Sequence, residues 1–151
     1  MPLTIGPENP LTPEGRALID GSETALRQVY AASECFSFSA EELDKPEITF
    51  LVARLNGTAV GCVALVDCGN FAEVKRLFVI PATRGTGAAR ALMTDLENRA
   101  KARRMSAVML ETGSKLAAAV TLYRTMGYVT RGPFGAYADH PASLFMEKRL
   151  A

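Results

Sequence analysis

The stretch Leu77-Phe78-Val79-Ile80-Pro81-Ala82-Thr83-Arg84-Gly85-Thr86-Gly87-Ala88-Ala89 decides the reading of this chain. Its apolar start reads as a strand, the two glycines as a tight turn, and the amphipathic run after Gly87 as a helix. Such a junction lets a phosphate approach the main chain, because the first helical turn offers N–H groups without intrahelical partners at the positive end of the dipole. The N–H groups of Thr86, Gly87, Ala88 and Ala89 are candidate pyrophosphate ligands, Gly85 opens the turn, and Arg84 or Arg90 can add charge-assisted contacts. Two nucleotide motifs fit poorly. A mononucleotide P-loop needs Lys and then Ser or Thr after its second glycine, but Gly87 is followed by Ala88, Ala89 and Arg90. A dinucleotide fingerprint needs a third glycine and an acidic residue closing a second strand.

Working outward, the stretch from Phe71 to Ile80 is the third strand of an antiparallel meander. It follows strands over Ile48 to Ala53 and Ala59 to Val66, which are joined by the turn pair Asn56-Gly57. Simple alternation places Glu73, Lys75, Leu77 and Val79 on one face of that strand. A helix from Gly87 to about Arg103 shows Ala89, Met93, Leu96 and Ala100 at helical spacing, and Ala107 to Leu110 forms the next strand, making a right-handed βαβ crossover. Earlier in the chain, Leu3 to Ile5 reads as a short strand. Glu14 to about Tyr30 reads as a helix that Gly21-Ser22 can split, and Ser39 with Glu42 has capping-box spacing. Leu116, Ala119, Val120 and Tyr123 share a further helical face ended by Gly127, and strands at Tyr128 to Thr130 and Ser143 to Glu147 close the chain. The loop between those strands is rich in aromatics, Phe134 and Tyr137 among them. The expected architecture is a single α/β domain over residues 1–151 with helices on both faces of a mixed sheet of about six to seven strands.

Composition narrows the function. The chain has 151 residues, a 48% hydrophobic content and a net charge of +1, so it is long enough for a core and exerts no overall pull on nucleic acid or anionic membrane. Arg99, Lys101, Arg103 and Arg104 form a basic helix end, which the macrodipole and solvation explain without RNA. No apolar run approaches a membrane span. Cys35, Cys62 and Cys68 lack CxxC spacing and His140 is the single histidine, so no metal site is expected. The odd cysteine count and the lack of a signal-peptide pattern predict a cytoplasmic setting.

Arg-x-x-Gly-x-Ala after Val79-Ile80-Pro81, Glu73 to Val79, and Leu122-Tyr123-x-x-x-Gly127-Tyr128 occur in this order, and together they resemble the GNAT N-acetyltransferase superfamily over roughly the whole chain. The resemblance implies acetyl-CoA as cofactor, direct attack of a substrate amine on the thioester, and pantetheine pairing with the main chain at Phe78 and Val79. That pairing requires the central strand to splay from Ala107 to Leu110, so that an extended ligand meets an open edge. By the same resemblance Glu73 is the candidate base, with Glu111 as the alternative base or a substrate-binding carboxylate, and Tyr123 approaches the CoA sulfur as acid. Many relatives carry Asn or Gln where this chain has Leu116, so that amide contact is lost or replaced by Ser114 or Lys115. Tyr30, Glu34, Phe36, Phe134 and Tyr137 are candidate acceptor contacts, being aromatic or acidic residues outside the cradle. A small-molecule primary amine is the expected acceptor and a homodimer the family's frequent assembly. A non-catalytic acyl-CoA sensor and an acetyltransferase of protein or peptide amines remain open as alternatives.

Overall fold

The computed structural model describes residues 2–31 and 38–150. Among these, β1 (Leu3–Pro7), β2 (Ile48–Leu55), β3 (Thr58–Asp67), β4 (Phe71–Val79), β5 (Ala107–Gly113), β6 (Val129–Arg131) and β7 (Ser143–Arg149) join in one sheet. Its strand order is β1-β2-β3-β4-β5-β7-β6. Four helices cover it: α1 (Pro13–Arg27), α2 (Ala40–Leu43), α3 (Ala88–Ala102) and α4 (Ala117–Thr125). β1 to β4 pair antiparallel in sequence order, and β5 lies parallel to β4 after the α3 crossover, as the pattern predicts.

Local chemistry explains the element ends. Thr12 caps α1 by accepting from the Gly15 N–H, with Pro13 pre-set for the first turn, and Ser39 and Glu42 make both bonds of a capping box on α2. Asn56 and Gly57 have φ of 52° and 85°, the two positive values of the tight hairpin turn that matches strand twist. α1 is continuous through Gly21-Ser22 and ends at Arg27, short of Tyr30. Gly21 is required by packing: a Cβ there would sit 2.9 Å from the Phe78 ring.

The two faces of the sheet carry separate cores. One joins α1, α2 and alternate residues of β2 and β3, including Leu18, Leu43, Phe50 and Ala64; the other joins α3 and α4 through Leu92, Leu96, Tyr123 and Tyr128 to Val63, Leu65 and Val74.

The strand β4 breaks the expected alternation. Ala64 faces Lys75 while Cys62 faces Phe78, so β4 holds one extra residue at Arg76 and Leu77, and Arg76 has φ 56°. Glu73 and Lys75 consequently lie on the α1 and α2 face, whereas Leu77 and Val79 turn to the α3 and α4 face. The expectation that all four share a face is corrected by this bulge. Pairing of β4 with β5 covers Phe71 to Val74 against Ala107 to Leu110 only, although β4 runs on to Val79 and β5 to Gly113, where it still pairs with β7. Past Val74 and Leu110 the two central strands part.

Candidate active site

A cleft of about 790 Å³ occupies the gap between the parted strands. Val74 to Val79 line one side and Glu111 to Gly113 the other; Ser22, Leu26 and Tyr30 border it on the α1 face, and Leu116, Ala119 and Tyr123 on the α4 face. The cleft therefore passes through the sheet, and each face can admit a different molecule. The register that separates Glu73 and Glu111 from Leu77 and Val79 decides which chemistry belongs to which mouth.

The glycine turn closes one end. Arg84, Gly85, Gly87, Ala88, Ala89 and Arg90 line the cleft, while Thr86 stands outside the lining and donates its hydroxyl to the Thr83 carbonyl at 2.6 Å. Gly85 and Gly87 have φ of 83° and 86°, a left-handed backbone that disfavours side chains, and a Cβ at either would meet nothing within 4 Å. The turn thus presents open space directly above main chain. Gly87 caps α3 without a side-chain bond, leaving the first-turn N–H groups to a ligand or water. An extended pyrophosphate-bearing ligand fits this arrangement, with the unpaired β5-facing edge of β4 available to its tail.

Three groups with acid–base capacity gather where the strands separate. Tyr123, only 5% exposed, enters from α4 with its ring edge-on to Tyr128 at 5.7 Å between centroids. Burial above all, helped by the nearby Glu111 charge, pushes its phenol up. Glu111 projects from β5 into the cleft from the α1 face; burial pushes its carboxyl above the usual range, opposed by a hydrogen bond with Ser143 and the charge of Lys75. Glu73 shares that face but stands behind the cleft wall. Its Oε2 accepts the Tyr137 phenol at 2.5 Å and lies 3.2 Å from Lys75 Nζ, which in turn bonds the Tyr137 oxygen. Lys75 itself lines the cleft, 7% exposed, its ammonium 5.1 Å from the Phe38 ring centroid and 4.8 Å from that of Tyr137.

The structure redistributes the other residues singled out in the sequence. Tyr30 lines the cleft. Phe134 does not: it packs edge-on against Phe71, Tyr137 and Phe145 in an aromatic cluster beneath the late loop. Tyr137 reaches the site only through Glu73 and Lys75. Glu34 and Phe36 lie outside the described residues. Leu116 lines the cleft at the start of α4, and the Lys115 N–H beside it is taken by the Tyr30 oxygen at 2.7 Å. Sequence reasoning missed Arg76 and placed Lys75 only on the strand face of Glu73. Arg76 ties the bulge to α1 through Glu23 at 2.7 Å and Ser22 at 3.2 Å, and to the Phe38 carbonyl at 3.0 Å. The adjacent cations Lys75-Arg76, which break the alternation of the strand, were the available signal.

Comparisons with known proteins give the family and the fold. Residues 16–128 match the model of the acetyltransferase (GNAT) family. The chain is 43% identical over 150 residues to the IAA acetyltransferase of Azospirillum brasilense, covering 98% of each chain. A candidate acyl-CoA N-acyltransferase of Klebsiella pneumoniae has a solved structure that superposes with a TM-score of 0.83 at 34% identity, covering 99% of this chain and 98% of that one. The PaiA N-acetyltransferase of Thermoplasma acidophilum, solved in complex with coenzyme A, shares the fold at a TM-score of 0.74 and 18% identity, with coverage of 99% and 100%. The chain belongs to the GNAT acetyltransferase family. It is an N-acetyltransferase of that family, and GNAT acetyltransferases use acetyl-CoA.

Proposed function

We propose that this protein transfers an acetyl group from acetyl-CoA to a primary amine of a small molecule, with the donor held on the α3 and α4 face and the acceptor entering from the α1 face. The observation that carries the reading is the parting of β4 from β5 beyond Val74 and Leu110, which opens a through-sheet cleft between Tyr123 on one face and Glu111 on the other. Bound acetyl-CoA supplies an activated acyl carbon; a C–N bond forms there and the C–S bond breaks.

The chain's own groups then have separable tasks. First-turn N–H groups of α3, with Arg84 and Arg90, hold the diphosphate, and the open edge at Phe78 and Val79 aligns the pantetheine arm. Glu111 is the carboxylate on the cleft wall, so it takes the proton that the amine must lose. Burial raises its proton affinity toward the value a base needs near neutral pH. Tyr123 hands a proton to the departing sulfur, and its high phenol pKa keeps that proton in place until thiolate forms. Glu73 acts at one remove, fixing Lys75 and Tyr137. The 43% identical relative is named IAA acetyltransferase, so IAA belongs in the acceptor panel beside the primary amines.

Calorimetry with CoA followed by amine-dependent release of free thiol tests this reading. Binding with turnover supports the transferase; binding without turnover over a broad amine panel favours an acyl-CoA sensor; no heat at millimolar CoA removes both.

A further inference from the structure

Tyr30 joins the two arms of the cleft. Beyond the end of α1 its N–H donates to the Leu26 carbonyl at 2.8 Å, and its side chain crosses to the turn between β5 and α4. There the phenol oxygen accepts the Lys115 N–H at 2.7 Å, and Lys115 Nζ lies 5.5 Å from the ring centroid. The ring lies so close to Gly113 that a Cβ on that residue would fall 2.4 Å from Cε2 and from the phenol oxygen. α1 itself is fastened to β4 by Gly21 against Phe78 and by Glu23 on Arg76. Tyr30 therefore belongs to the β4 arm and Gly113 to the β5 arm, and the contact spans the gap on the face that carries Glu73, Lys75 and Glu111.

Resting on the transferase reading, we propose that Tyr30 is a fixed crosspiece over the acceptor port and that Gly113 is its seat, so that the port admits slender, unbranched primary amines and rejects amines branched beside the nitrogen. The ring is 5% exposed, hydrogen-bonded and without clearance on its Gly113 side, so it acts as a post and not as a swinging lid. An amine reaching Glu111 from this face passes beside it. A single extra carbon is discriminated by steric pockets about 10- to 200-fold, which sets the scale of the selectivity a fixed ring can impose.

The test compares kcat/KM for sec-butylamine and n-butylamine in the parent, Tyr30→Ala and Gly113→Ala, with calorimetry of CoA binding alongside. Tyr30→Ala removes the post; Gly113→Ala keeps the tyrosine and denies it its seat. The ratio of branched to unbranched amine should rise about tenfold or more in both variants while the CoA Kd stays within about twofold. An unmoved ratio in folded Gly113→Ala, with parental turnover intact, overturns the role of Tyr30 and leaves the transferase standing; this arm decides the matter even if Tyr30→Ala does not fold. A parent that binds CoA but acetylates neither amine nor any other in a broad panel overturns the transferase reading, and the crosspiece with it.

Discussion

Tyr128 donates its phenol to Glu97 Oε2 at 2.9 Å inside the α3 core, while Lys148 Nζ lies 2.8 Å from Oε1 of the same carboxylate. A charge on a residue only 5% exposed is tolerable because both its oxygens are engaged. Tyr128 also sets its ring against Tyr123, so this network stands directly behind the proposed acid. Lys148→Met strands the carboxylate and should cost about 3 kcal/mol in chemical denaturation. Tyr128→Phe removes one charge-assisted bond and should cost about 2 kcal/mol.

Glu111→Gln should lower kcat/KM by about 10²-fold or more, whereas Glu73→Gln should cost less, because only Glu111 stands on the cleft wall. The parent's activity should fall as pH drops through the Glu111 pKa. Because burial raises that value, the acid limb should lie above the usual carboxylate range. Steady-state pH profiles of both variants check the assignment; a larger loss in Glu73→Gln, with the acid limb gone from that variant, would return the base to Glu73.

The same residue predicts a stability profile. A carboxyl with a raised folded pKa favours folding most when protonated, so its contribution is fully present below the unfolded value and is lost as pH rises through the folded one. Glu111→Gln should therefore gain Tm relative to the parent as pH climbs from about 4 toward neutrality, and the gap should close in acid. Thermal melts across that range read it directly.

Tyr123→Phe should reduce kcat by about 10²-fold with the KM for acetyl-CoA little changed, since the ring keeps its packing on Tyr128 and only the proton donor is lost. Unchanged turnover at saturating donor would assign the side chain to packing alone.

Gly87→Ala should weaken CoA binding in calorimetry and cost about 1 to 2 kcal/mol of stability, because φ of 86° places a Cβ in the left-handed region. The space above Gly87 is open, so the stability loss comes from backbone conformation and not from a clash.

Much of the fold was legible in the residues. Asn56-Gly57 announces its hairpin, Ser39 with Glu42 its capping box, and Gly127, with φ 97°, the end of α4. Each rests on hydrogen bonds or backbone angles within a few residues, which the local sequence controls. The glycine turn leading into the start of α3 was legible for the same reason. The acceptor side was not. Glu73, Glu111, Tyr30 and Tyr137 come from four separate segments, and their order in the chain gives no rank among them as base or contact.

The sequence by itself determined the elements, their order and the junction of glycine turn and helix at Gly85 and Gly87, because these follow from short-range sterics and from periodic burial. Only the tertiary structure decided that β4 carries an extra residue at Arg76, that Glu73 turns away behind Lys75 while Glu111 faces the cleft, and that Tyr30 reaches Gly113. The physical reason is that a one-residue change of register reverses which face a side chain occupies, and register is settled by pairing with strands distant in the chain.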